Sequence, residues 1–212
     1  YLVGVEVSPV LFDRQLLEHS EYKQLRESIG DEMDRLDKCR EKLRDERLFN
    51  MVSLRNAMVW RKNAALGDKT LLPLVAELRK QYYVRGHALY CPAYRFAPPN
   101  MRTMAAGKIA EELKNYIENK LKTYGNSIIQ WDVVHDALIY SEIYDDIGHE
   151  SLVNAYKYAA AAYPDTALMF SDSTVLLTPD RDHMAEMIAL VRWLQNNGAR
   201  IDGLALGVEM TR

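Results

Sequence analysis

Cysteine is scarce in this chain, with only Cys39 and Cys91 among 212 residues. Two cysteines allow at most one disulfide, which excludes a small domain held by a disulfide framework. There is no C-x-x-C pair, and none of the five histidines stands at ligand spacing from another, so a structural zinc site is not expected. Neither a metal nor a cofactor is implied. No apolar run approaches the roughly 18–20 residues that cross a bilayer, so no membrane span is expected. Charge of one sign is lacking as well. The 27 Lys plus Arg against 30 Asp plus Glu leave a formal charge of -3, too small a field to collect nucleic acid or an anionic membrane. No internal repeat or low-complexity linker divides the chain, and residues 1–212 read as a single domain. The opening Tyr1-Leu-Val-Gly-Val-Glu-Val7 is too short and too acidic for a secretory signal. The chain has no initiator Met at position 1 and no capped end after Met210-Thr-Arg212. It therefore reads as a segment of a longer protein, whose flanks would carry any targeting signal.

What is present is ordinary for a folded domain, with 48% hydrophobic and 27% charged residues. Short β-rich runs alternate with stretches of helical period, the pattern of an α/β protein with a parallel sheet. Strands are expected over residues 1–7, 49–54, 83–90, 128–134, 167–170 and 201–206. Across residues 21–47, Tyr22, Leu25, Ile29, Met33, Leu36 and Leu43 recur at three- and four-residue steps within a charged stretch. That spacing predicts one helix, or two broken near Gly30, with a narrow buried seam. Further helices are predicted over 71–82, 108–124, 151–162 and 184–196, the second ended by Gly125 and the last by Gly198. Residues 91–100 hold three prolines with aromatics between them and read as an ordered loop.

In a β/α barrel the chemistry sits past the C-terminal ends of the strands. Three of those positions are unusual here: Arg85-Gly-His87, Trp131-Asp-Val-Val-His-Asp136 and Ile201-Asp-Gly203. Together with Phe49-Asn50, Asn56-Ala-Met-Val-Trp60 and Tyr163-Pro-Asp165, and in this order, they resemble glycoside hydrolase family 10, the retaining endo-1,4-β-xylanases. The resemblance runs from Tyr1 to about Glu209 and is weakest over residues 18–47. It implies a TIM-type β/α barrel, incomplete in this chain, with about six of the eight strands. It also implies hydrolysis of β-1,4-glycosidic bonds in xylan or a related polysaccharide, and a secreted or extracellular protein.

Such an enzyme needs two carboxyl groups about 5–5.5 Å apart, one as acid/base and one as nucleophile. The resemblance places the acid/base at Asp136, where the family has a glutamate, and assigns sugar contacts to Asn56, His87, His135 and Asp172. The family nucleophile belongs to a seventh strand beyond Arg212. Departures surround the site. Arg55 and Val59 replace a glutamate and a lysine, His135 replaces an asparagine, and Ser171-Asp172-Ser173 replaces asparagine-aspartate-tyrosine. Two functions are compatible with this mixture: a glycosidase with a degraded active site, or a catalytically inactive carbohydrate-binding or structural module of a larger extracellular protein. The expected partners are a polysaccharide or oligosaccharide, and the remainder of the polypeptide or a partner chain covering the open barrel. Trp60 and Trp131 read as core. His149-Glu150 reads as a helix start and Asp182-His183 as a turn. Tyr90, Tyr94 and Phe96 form either a lip for a sugar ring or a loop packed on itself.

Overall fold

The computed structural model describes residues 4–29, 33–45, 49–176 and 181–207. Six parallel strands pair strictly in chain order: β1 (Gly4–Val7), β2 (Met51–Leu54), β3 (Tyr83–Gly86), β4 (Gln130–His135), β5 (Ala167–Asp172) and β6 (Gly203–Leu206). The helices are α1 (Lys23–Ile29), α2 (Met33–Asp45), α3 (Trp60–Leu66), α4 (Asp68–Leu78), α5 (Ala106–Tyr124), α6 (Glu142–Ile147), α7 (Glu150–Ala162) and α8 (Arg181–Asn196). This is the expected six-stranded arc of a TIM-type barrel. Residues 1–3, 30–32 and 46–47, which belong to the predicted first strand and charged helical stretch, lie outside the described residues.

Side-chain parity sets the two faces of the sheet. Val52, Leu54, Val84, Trp131, Val133, Leu168 and Phe170 point outward and are buried. They meet Ile109, Leu113, Ile117, Leu121 and Tyr124 of α5 and Leu152, Ala155, Tyr156 and Ala159 of α7, all in one core. Trp60 and Trp131 belong to this core, as expected. Trp60 stacks on Tyr116 at 4.8 Å, and Trp131 meets Tyr124 edge-on at 5.9 Å. Tyr22 is buried on the same core, with Leu25, Leu36 and Leu43 packed partly buried against it. Glu6, Ser53, Arg85, Asp132, Ser171 and Ala205 face the other way, into the arc.

Several boundaries differ from expectation, and α3 and α6 are helices that it did not include; three of the differences have a local reason. The third strand ends at Gly86 rather than at residue 90, because the chain there shifts its backbone bonds. Leu89 N–H and Tyr90 N–H donate to Asp132 and Val133, and Tyr90 accepts from His135 N–H. The sixth strand begins at Gly203, because Asp202 spends its carboxylate on Leu168 N–H at 2.8 Å and its own N–H on Leu168 O. A helix the periodicity did not reveal, α3, precedes α4. Asn63 and Asp68, joined by a 3.3 Å side-chain bond, close the joint between them, and Asp68 also takes Lys120 Nζ at 2.5 Å and Tyr124 O–H at 3.0 Å. His149 directly precedes α7, as expected of a helix start, while Asp182-His183 is the first turn of α8 rather than a turn between elements.

One irregularity places the functional side chains. In the β4–β5 ladder Asp132 pairs with Met169, but the next pair is Val134 with Phe170, so Val133 is an extra residue. Such a bulge reverses the parity of the residues after it. His135, which strict alternation would send outward, therefore turns into the arc directly beside its ladder partner Ser171.

Gly86 shows how tightly the outer face is fitted. It pairs with Trp131, and a β-carbon at this position would overlap the six-membered ring of the indole. The Gly86→Ala variant should therefore lose about 1–3 kcal/mol of stability, the usual cost of overpacking a close-packed site. A denaturant titration monitored by tryptophan fluorescence measures it; an unchanged midpoint would contradict this account of the Arg85-Gly86-His87 motif.

Candidate active site

The C-terminal rim and inner face of the sheet enclose a cleft of about 650 Å³. Its lining includes Asn56, His87, His135 and Asp172, four of the five side chains expected at the site. Asp136 is not among the lining residues.

The wall of the cleft is built from charge. Asp132 is 1% exposed, in the middle of a strand whose outward side chains are apolar. A buried carboxylate is tolerated only when paired. Arg85 reaches its Oδ1, and His87 Nδ1–H donates to its Oδ2 at 2.6 Å. Burial works to raise the Asp132 pKa, but the His87 hydrogen bond and the two positive charges outweigh it and hold the carboxyl below its ordinary 3.8. For His87, burial works downward, and the Asp132 bond and charge overcome it, raising the imidazole above 6.5. The His87 ring then meets His135 edge-on, with centroids 4.4 Å apart. His87 is thus braced on the cleft wall, with its protonated form favoured.

His135 bridges the two rim strands. Its Nδ1 lies 2.9 Å from Ser171 Oγ, and its Nε2 lies 3.1 Å from Asp136 Oδ2. Asp136 follows β4 with φ +54, in the left-handed region that aspartate tolerates better than most residues. That turn folds its side chain back toward β5. Oδ1 accepts Ser173 N–H at 2.7 Å and Oδ2 accepts Ser173 Oγ–H at 2.9 Å. Burial opposes ionisation of Asp136, yet the bond and charge of His135 and the two Ser173 donors prevail and lower its pKa. The group at the expected acid position is a firmly held carboxylate.

Asp172, 1% exposed, is likewise occupied. Its Oδ1 accepts from Thr174 N–H, Thr174 Oγ–H and Val175 N–H, the bonds of a tight Asx turn, and its Oδ2 lies 3.4 Å from His183 Nε2. Asn56, at φ +52, is exposed in the cleft beside Arg55, whose guanidinium lies 3.7 Å from Glu6. The aromatic loop packs mainly against α6 and the segment that leads into it. Tyr90 is buried, Tyr94 O–H donates to Asp146 at 2.5 Å, and Arg95 stacks over Phe96 and Tyr140 at 4.6 and 4.4 Å. Phe96 alone of the three aromatics lines the cleft. No group of three or more His, Cys, Asp or Glu side chains among the described residues is placed to hold a metal ion.

Sequence reasoning missed Arg85, Asp132, Ser171, Ser173 and His183 as working parts. The signal for the first two was available: an aspartate in an otherwise apolar buried strand requires a cation beside it, and Arg85 lies on the neighbouring strand. No local signal marks His183 or the Ser173 contacts, which depend on the bulge in β4 and on the course of the loop after β5.

The sequence model "Glycosyl hydrolase family 10" matches residues 23–210. Endo-1,4-beta-xylanase 5 of Pyricularia oryzae is 25% identical over 174 residues, covering 77% of this chain and 42% of that protein. Endo-1,4-beta-xylanase A of Xylanibacter ruminicola is 26% identical over 133 residues, covering 58% of this chain and 35% of that protein. The chain thus spans less than half the length of these curated relatives. Among solved structures, xylanase 10B from Thermotoga petrophila, in complex with xylobiose, superposes with a TM-score of 0.72 over 97% of this chain and 59% of its own, at 17% identity. That likeness is one of fold.

The paired shifts at Asp132 and His87 make stability depend on pH in a defined window. A depressed carboxyl contributes stability that is full above its unfolded pKa near 3.8 and is lost as pH falls through the folded value. A raised imidazole contributes stability that is full below about 6.5 and is lost as pH rises through its folded value. The melting temperature should therefore be highest between these limits. His87→Asn should flatten the decline on the alkaline side, and a scan of Tm against pH for both proteins checks it.

Proposed function

Since the chain belongs to glycosyl hydrolase family 10, we propose that it is a xylanase-like domain that binds β-1,4-linked polysaccharide in its cleft and whose own glycosidase site is degraded. The observation that carries this reading is the state of Asp136. A general acid must hold a proton until the leaving oxygen takes it, and enzymes arrange this by raising the carboxyl pKa. Asp136 is lowered from 3.8. At neutral pH fewer than about one in a thousand such groups carries a proton. Its oxygens are turned onto Ser173 and His135, and the side chain is one methylene shorter than the family's glutamate. Reaching a leaving group would require breaking these bonds as well as closing roughly 1 Å, a misplacement worth on the order of 100-fold in rate.

Binding is better supported than turnover. Asn56 offers a free amide in the cleft, and His87 and His135 give polar edges on its wall. Phe96 provides an apolar ring at the rim, the kind of surface a sugar face covers. Asp172, committed to its own turn, braces the loop rather than meeting sugar. The exposed Leu204 and Leu206 of β6, at the edge of the sheet, call for the remainder of the polypeptide or a partner chain to cover them. By family resemblance the setting is extracellular.

The protein should hydrolyse xylan and aryl β-xylosides at least about 100-fold more slowly than a family member with the full set of residues. It should still be retarded in an affinity gel containing xylan. Asp136→Glu alone should recover little activity, because the neighbouring donors stay misplaced. Reducing-sugar release that is robust and abolished by Asp136→Ala would overturn the reading and establish Asp136 as the acid.

A further inference from the structure

Ser171, His135 and Asp136 stand in sequence at the rim of the cleft, the first two hydrogen-bonded and the last two in ion-pair contact. Ser171 Oγ is 2.9 Å from His135 Nδ1, and His135 Nε2 is 3.1 Å from Asp136 Oδ2. Among the described residues, the competing acceptor for the Ser171 hydroxyl, Val134 O, is distant at 3.4 Å. A carboxylate oxygen 3.1 Å from Nε2 attracts the imidazole proton to that nitrogen. The Nδ1 lone pair is left facing the Ser171 hydroxyl. Asp136 is itself held by both donors of Ser173, so the orienting group is fixed in turn. Nucleophile, base and orienting carboxylate thus stand in the order by which such a constellation is recognised, whatever the fold. Ser171 and His135 both line the cleft, and both sit on strand ends rather than mobile loops.

We propose that this cleft hydrolyses carboxylic esters, with Ser171 as nucleophile, His135 as general base and Asp136 as a positioning residue, on small acyl esters of sugar hydroxyls. Ser171 Oγ attacks the ester carbonyl carbon as its proton passes to His135 Nδ1. The tetrahedral adduct collapses when the C–O bond to the alcohol breaks, and the departing oxygen takes that proton from His135. An acyl-serine remains. Water then attacks the acyl carbon, gives its proton to His135, and Ser171 recovers it as the carboxylic acid leaves. Ester and water are consumed, and acid and alcohol are formed. No oxidant, reductant or further reagent is needed. His87, packed edge-on against His135 and fixed by Asp132, with Arg85 behind it, is the donor that this wall offers to the carbonyl oxygen as it becomes negative. The cleft, about 650 Å³, lies within the range of small-molecule sites. A glycosidase role for Asp136 needs it protonated, whereas this role needs it ionised, which is the state its partners enforce.

The acyl chemistry stands apart from the polysaccharide reading, because 4-nitrophenyl acetate contains no sugar. The test measures hydrolysis of 4-nitrophenyl acetate and acetate release from acetylated xylan by the protein and its variants. It is paired with labelling by a fluorophosphonate and peptide mapping of the labelled residue. Ser171→Ala and His135→Ala should each lower kcat/KM at least about 100-fold. Asp136→Asn should lower kcat more than it raises KM, the signature of a group acting through His135. Cys39→Ser, which removes an exposed thiol that does not line the cleft, should leave the rate unchanged. Circular dichroism melts show whether each variant folds, and if Ser171→Ala does not, the mapped label on the unaltered protein decides. A label on Ser171 supports the proposal. No ester turnover, a label elsewhere, or a folded Ser171→Ala that keeps its activity overturns it. Hydrolysis of the nitrophenyl ester without acetate release from xylan overturns the sugar-ester part alone.

Discussion

A single buried carboxylate, Asp132, holds the third strand to the fourth. The ladder between them is short, with Arg85 facing Gln130 and Gly86 facing Trp131, so side chains must do part of the joining. Asp132 does this on the inner face through Arg85 and His87, while Trp131 closes over Gly86 on the outer face. Removing a charge from water costs several kcal/mol, and such a group is stable only while both of its oxygens are engaged. The Arg85-Gly86-His87 run and the Trp131-Asp132 pair are therefore two halves of one joint. Each residue is determined by the face on which it lies.

Two imidazoles of the cleft are positioned from that joint. His87 is fixed by Asp132, and its ring limits where His135 can sit. The bulge at Val133 turns His135 inward, and the ladder then sets it beside Ser171. Carboxylate and imidazole are paired three times along the rim: Asp132 with His87, Asp136 with His135, and Asp172 with His183. In each pair the acid is 5% exposed or less. In the first two pairs the imidazole helps to lower the carboxyl pKa, which suits anchoring and works against proton donation.

The sequence displays the barrel plainly, because parallel strands buried on one side by helices leave apolar runs, and helices leave a three-and-four spacing. Strand order is legible too, since short βα units favour neighbouring strands. The site is only half visible. Their positions after strands put Asn56, His87, His135 and Asp172 at the rim, and all four line the cleft. What the residues there do is not visible in the same way. The direction of His135 depends on a one-residue bulge that no pattern of apolar residues announces. The withdrawal of Asp136 depends on a left-handed turn and on Ser173, 37 positions away along the chain. His183 reaches Asp172 only because α8 begins earlier than its apolar periodicity suggests.

The departures from the family pattern are mutually consistent rather than scattered. An imidazole at position 135 needs a small hydrogen-bonding neighbour across the ladder, and serine at 171 provides one. A carboxylate beside that imidazole must be short enough to remain at the strand end, and aspartate at 136 can fold back where a glutamate would project. Its second set of lone pairs then needs donors, which Ser173 supplies twice, from backbone and side chain. Random erosion of an active site leaves buried polar groups without partners, and each of those costs about 1–3 kcal/mol. Arg85 Nε and Asp172 Oδ2 on the same wall are buried without a hydrogen-bond partner, but Ser171 Oγ, His135 Nδ1 and both Asp136 oxygens are hydrogen-bonded and His135 Nε2 is in ion-pair contact. Such closure is the condition under which a polar network specifies a single geometry. The four residues at 135, 136, 171 and 173 therefore form one contact network at the rim, which is why the proposed loss of proton donation and the proposed serine chemistry rest on the same side chains.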